Sequence, residues 1–255
     1  MTIDLIVEGA VAKVVLNRPD KLNALSWEMR EALTGHFNEL RYNNAIRAII
    51  VTGAGKAFCS GADVGRMEES DMLAARIRVQ RGVHELIRAL HAIEKPVIAA
   101  VRGSAVGLGW SIALACDLIV ASETARFSQI FRGVGLAPDG GANWFLMRSL
   151  GMARAKELVF SARFVEAQEA LALGLVNHVV ADGQLMAKSE ELAKDFSEGP
   201  TFAFGMAKKM MHMASGPSLE DFLEIESMVQ AQMIQTKDHA EGVAAFKEKR
   251  KPKFG

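Results

Sequence analysis

Apolar residues cluster in short runs at residues 4–8 and 11–16, separated by Gly9-Ala10. This pattern predicts two strands joined by a turn, the second closed by Pro19. Ser26 can cap a helix running to about Leu40, with Trp27, Leu33, Phe37 and Leu40 on one face. The β-branched run at residues 48–52, closed by Gly53-Ala54-Gly55, predicts a buried strand. Between Asp71 and Glu94, the residues Val79, Val83, Leu86, Leu90 and Ile93 recur with helical spacing. A second buried strand is expected over 96–101, then a glycine-spaced loop, a helix over 108–115 and a strand over 118–121. Short apolar strands alternating with helices indicate an α/β fold. Beyond Asp182 the strand signals stop, and Pro200 and Pro217 divide three or more helices. The pattern predicts a strand-and-helix core over residues 1–195 and a helical region over 196–255.

Composition narrows the setting. A chain of 255 residues buries about 70–75% of its unfolded surface and needs no covalent staples. Thirty basic residues balance thirty acidic ones, so no broad field draws nucleic acid or an anionic membrane. The basic tail over 247–253 is the local exception. Cys59 and Cys116 fit neither a metal-ligand spacing nor a disulfide framework. They suggest a reduced, cytoplasmic environment. The N-terminus has no basic segment leading into an apolar run, which argues against a signal peptide. The apolar stretch over 96–120 has the length of a membrane span, but Arg102, Asp117 and three glycines interrupt it. No pair of the six histidines has a metal-binding spacing.

Three local features can carry chemistry. Phe58-Cys59-Ser60-Gly61-Ala62-Asp63 follows a buried strand, and Gly103-Ser104-Ala105-Val106-Gly107-Leu108-Gly109 leads into a helix. Glycines at such points let backbone N–H groups approach a ligand, although they also serve as ordinary turns. Their spacing is neither a dinucleotide fingerprint nor a phosphate loop. The third feature, Leu136-Ala137-Pro138-Asp139-Gly140-Gly141, precedes a helix expected over 142–150. From pattern alone, Asp139 reads as that helix's cap.

Taken in order, these segments resemble the crotonase (enoyl-CoA hydratase/isomerase) superfamily. The resemblance also rests on Asn17-Arg18-Pro19-Asp20-Lys21-Leu22-Asn23-Ala24, Lys95-Pro96-Val97-Ile98-Ala99-Ala100-Val101-Arg102-Gly103, Ala115-Cys116-Asp117, Ala172-Leu173-Gly174-Leu175-Val176 and Glu241-Gly242-Val243-Ala244-Ala245-Phe246. It implies a spiral of ββα units and a C-terminal helical trimerisation region, assembled as trimers or dimers of trimers. The implied ligand is an acyl-CoA thioester, with CoA part of the substrate and no separate cofactor. Its enolate oxygen would sit between the N–H groups of Ala62 and Leu108. Lys21, Ala24, Ser60, Ala62 and Val64 would hold CoA. Phe246 and Lys249 of a neighbouring subunit would complete that pocket, although Lys249 also reads as part of a solvated tail.

The hydratases of this superfamily use two glutamates. Here Ser111 and Phe131 stand at those positions, and neither moves a proton at neutral pH. Asp139 instead matches the aspartate of the ring-opening phenylacetate-pathway (epoxyphenylacetyl-CoA) isomerases, with Phe131, Trp110 and Trp144 as an apolar lining. The resemblance thus favours an isomerase with one carboxylate base. Three alternatives stay open: a hydratase with non-standard residues, a 4-chlorobenzoyl-CoA-type dehalogenase, and a non-catalytic CoA-binding or RNA-binding relative. In the second, Asp139 would be the nucleophile and His84 would match a histidine of that group. By its place on the helix, His84 reads as a solvated surface residue.

Overall fold

The structure, a computed structural model, describes residues 2–63 and 71–255. Its first unit is β1 (Ile3–Glu8), β2 (Val11–Leu16) and α1 (Trp27–Tyr42). The Ser26 side chain accepts from the Met29 N–H and caps α1, as the pattern predicts. Along β2, buried Ala12, Val14 and Leu16 alternate with partly exposed neighbours, so one face is turned to the core. Next come β3 (Ala48–Gly53), α2 (Met72–Val79) and α3 (Glu85–His91). Two strand–strand–helix turns come after them: β4 (Val97–Val101), β5 (Ser104–Val106) and α4 (Leu108–Ala115), then β6 (Leu118–Ser122), β7 (Arg126–Ser128) and α5 (Ala142–Ser161). The chain continues through β8 (Val165–Glu166), α6 (Ala167–Ala172) and β9 (His178–Val180). It ends in α7 (Leu185–Glu198), α8 (Thr201–Met213), α9 (Leu219–Met233) and α10 (Lys237–Glu248).

Six strands form one sheet in the order β1-β2-β3-β4-β6-β9, antiparallel only between β1 and β2. A smaller sheet has the order β5-β7-β8. All of β4 and the first five residues of β3 are buried because helices cover both faces of the main sheet. Ile49, Val51, Val97 and Ala99 pack in the cluster that includes Leu33, Phe37, Leu86 and Leu90. Ile50, Ile98, Ala100 and Val120 pack instead with Leu185 and Ala193 of α7.

Two expected helices prove less regular. The apolar stripe from Val79 to Ile93 runs through a π turn at Gln80–His84 between α2 and α3. The wider turn admits an extra residue and rotates the faces of α3 relative to those of α2. The helix expected over 142–150 continues as α5, broken at Gly151, whose φ of 74° and ψ of 167° are non-helical. The short strands β5, β7, β8 and β9 have too few residues to show a period and are absent from the expected elements. The apolar stretch over 96–120 resolves into β4, β5, α4 and the start of β6. Among the described residues, no helix is long and apolar enough to cross a membrane.

Candidate active site

The two glycine-bearing loops are bonded to each other. Phe58 N–H donates to Arg102 O, Cys59 N–H to Ser104 O, and Val106 N–H back to Cys59 O. Leu25 N–H donates to Gly61 O and Asp63 N–H to Leu25 O, forming a parallel bridge across Ala62. The Gly61 N–H turns to Cys59 Sγ at 3.4 Å, the Asp63 N–H is used by the bridge, and the Ala62 N–H between them has no acceptor among the described residues. Leu108 is the first residue of α4, whose first N–H to bond back is that of Ser111, to Gly107 O. The Leu108 N–H therefore also has no acceptor among the described residues.

Close packing keeps the two donors near each other. A Cβ on Gly61 would lie 3.6 Å from Leu108 N, and one on Gly109 would collide with Cys59 O at 2.3 Å. Leu108 is buried, and its side chain lies under the turn before α5: a Cβ on Gly140 would come within 2.8 Å of Leu108 Cδ1. Ser111 is fully buried, its hydroxyl 3.2 Å from Gly107 O and 3.0 Å from Asp139 O. Phe131 covers the entrance to α4, its ring edge 3.6 Å from where a Gly107 Cβ would be.

Asp139 does not cap α5. The capping position belongs to Gly141, at φ 76°, with no side-chain cap. The Asp139 carbonyl accepts from Ala142 N–H, while its carboxylate oxygen Oδ1 is buried without a hydrogen-bond partner among the described residues. Burial pushes the Asp139 pKa above the ordinary carboxylate value, and the charges of Arg30 and His84 pull it back. Burial has the opposite effect on Arg30, lowering its pKa against the pull of Asp139. His84, at the end of the π turn, is thus partly buried and within the field of Asp139, rather than a solvated surface residue. The π turn provides the reason, since it alters which helix face His84 occupies.

The N-terminal loop residues converge as well. Asn23, fully buried at φ 56°, sends its amide to Ala54 O and Ala57 O and accepts from Arg18 N–H. Arg18 pairs with Asp63 at 2.6 Å and donates to Ala24 O. Ser60 N–H donates to Leu22 O, and the Ser60 hydroxyl reaches Lys21 O at 3.4 Å. Lys21, Ala24, Ser60 and Ala62 are therefore drawn into one connected patch; Val64 lies outside the described residues. Arg30 and Asn23 are absent from the expected site residues. Asn23 stands in the quoted motif, whereas Arg30 has only its polarity in an otherwise amphipathic helix to single it out.

Other expected residues fall elsewhere. Trp110 is buried in the core against Phe127, with ring centroids 5.7 Å apart. Trp144 borders a separate cavity of about 510 Å³ with His91, Leu114, Phe204 and His212, and Arg148 lies 3.7 Å over its ring. That cavity includes neither Asp139 nor the donor loops. Phe246 is 86% exposed near the end of α10, where it borders a cavity with Phe202, Met233 and Phe254. Lys249 follows α10 in a left-handed conformation.

Comparison with known proteins bears on the same site. Residues 7–255 match the family described as Enoyl-CoA hydratase/isomerase. The chain is 37% identical to a probable enoyl-CoA hydratase of Rhodobacter capsulatus, covering 99% of this chain and 97% of that one. It is 35% identical to 1,2-epoxyphenylacetyl-CoA isomerase of Escherichia coli, covering 97% and 96% respectively. The solved enoyl-CoA hydratase of Bacillus anthracis superposes with a TM-score of 0.94 at 33% identity, covering 100% of this chain and 99% of that one.

Proposed function

Because the chain belongs to the enoyl-CoA hydratase/isomerase family and has the crotonase fold, we propose that it isomerises an unsaturated acyl-CoA with Asp139 as its single base. The observation that carries this reading is the buried, unpartnered carboxylate oxygen of Asp139, beside a turn packed on Leu108. In the proposed reaction the thioester oxygen takes hydrogen bonds from the Ala62 and Leu108 N–H groups. Asp139 removes a proton from one carbon, charge builds on the thioester oxygen, and the proton returns at another carbon. Each donor is worth about 3–4 kcal/mol to such a transition state. Burial supports the base by raising its proton affinity toward the working pH.

Hydration needs a second group to activate water, and the two positions used for that purpose hold Ser111 and Phe131. Ser111 is committed to backbone carbonyls, and Phe131 presents an aromatic edge. The expected result in deuterated water is label entering the α- or γ-carbon of an enoyl-CoA without formation of a hydroxyacyl-CoA. Rapid water addition to crotonyl-CoA by the unaltered protein would replace isomerase with hydratase.

The same reading makes the protein a trimer or a dimer of trimers. Among their described residues, α8, α9 and α10 bury one residue each, Gly205, Val229 and Ala245, and leave Phe202, Leu219, Met228 and Phe246 exposed. Light scattering should return the mass of three or six chains. A monomer at micromolar concentration would remove Phe246 and Lys249 from the proposed CoA pocket.

A further inference from the structure

A further, more polar cavity of about 460 Å³ lies between α1, α2 and the segment carrying Asp63. Arg18, Arg30 and Arg78 all line it, together with Trp27, Glu28 and Asp63. Arg18 is committed to Asp63. Arg30 and Arg78 are both partly buried, and among the described residues neither pairs with a carboxylate. Arg30 Nε donates to Ser26 O at 3.3 Å, and the guanidinium carbon lies 5.3 Å from the Trp27 ring centroid. Gly82 leaves room for this arrangement, since a Cβ there would meet Trp27 at 2.7 Å and Arg30 Nη1 at 3.1 Å.

The charges facing Arg30 are, in order of strength, Asp139, Arg78, Glu28 and Asp63. The first places Arg30 on the same side as the proposed base. The second means that two guanidinium groups oppose each other at one cavity, an arrangement that an entering anion relieves. An arginine fork binds a carboxylate through two parallel N–H···O bonds, stronger than a neutral pair. Like Arg30, His84 also acts on Asp139. Arg30 thus lies in the field of the proposed base, and with Arg78 it shares the cavity with Glu28 and with Asp63, which is already paired to Arg18.

We propose that Arg30 and Arg78 bind a carboxylate carried at the far end of the acyl chain, so that the substrates are CoA thioesters of dicarboxylic acids. This inference rests on the acyl-CoA reading above. CoA itself offers a second anionic group, its diphosphate, and the test separates the two. Binding of glutaryl-CoA, pentanoyl-CoA and free CoA to the full chain is measured calorimetrically at low and moderate salt. Glutaryl-CoA, which differs from pentanoyl-CoA in its terminal group, should bind about tenfold tighter. The ratio should shrink with salt and fall towards one in Arg30→Gln. Arg78→Gln, on the more exposed helix α2, should also reduce it and guards against a folding defect in the first variant. Equal or tighter binding of pentanoyl-CoA overturns the proposal while leaving the acyl-CoA reading intact. Equal weakening of all three ligands by both variants also overturns it and assigns the arginines to the diphosphate. Failure of all three ligands to bind overturns both readings.

Discussion

Replacing Asp139 with asparagine is expected to lower isomerisation by roughly 10²–10⁴-fold, while making the folded chain more resistant to heat at pH 8. The two effects have one origin. The carboxylate is largely buried, Oδ1 has no hydrogen-bond partner among the described residues, and burial raises its pKa despite Arg30 and His84. A folded-state pKa above the unfolded one means that the protonated acid is better tolerated in the fold. Its contribution to stability is complete below the unfolded value and disappears as pH rises through the folded value. Asparagine is neutral throughout, so its advantage should appear at pH 8 and be small at pH 4. Thermal unfolding at both pH values reads this directly. Turnover of the unaltered protein should rise with pH as Asp139 ionises. Undiminished α- or γ-deuterium exchange in Asp139→Asn would remove Asp139 as the base. A covalent ester trapped on Asp139, with solvent oxygen appearing in the product, would instead assign the nucleophilic role.

Leu108→Pro is expected to reduce turnover by about 10²–10³-fold relative to Leu108→Ala, with CoA thioester binding and helix content retained. Proline removes the N–H proposed to face the thioester oxygen. At the first position of α4 it removes no helix hydrogen bond, because bonding back begins at Ser111, and its fixed φ suits that position. The preceding Gly107, at φ 54° and ψ −124°, lies outside the right-handed helical region disfavoured before proline. Both variants lose the leucine side chain packed under Gly140, so comparison with alanine isolates the N–H. Circular dichroism confirms that each variant is folded. A folded Leu108→Pro protein as active as Leu108→Ala would show that this amide does not stabilise the transition state.

Local pattern specifies much of this protein. Ser26 caps α1 because its hydroxyl needs only the amide three residues ahead. α4 spans Leu108–Ala115 as expected, between a glycine that permits positive φ and an extended Cys116. Buried runs at 48–52 and 96–101 become the central strands β3 and β4 because residues covered on both faces must be continuously apolar. The ordered motifs also identify the family, since loops pinned by residues such as Asn23 and Arg18 tolerate few alternatives.

The tertiary structure decides what the site can do. As a sequence, Asp139 reads as a helix cap; in the fold Gly141 takes that position, and Asp139 is half-buried, its Oδ1 shut off from solvent, within the field of Arg30 and His84. Neither partner is close to it along the chain. His84 reaches that environment through a π turn that an apolar stripe alone does not reveal. Trp144, five residues beyond Asp139, goes to another cavity because α5 carries it round to a different face. Periodicity and caps are written by neighbours in sequence. The desolvation of a carboxylate, and the charges that answer it, depend on segments that meet only after folding.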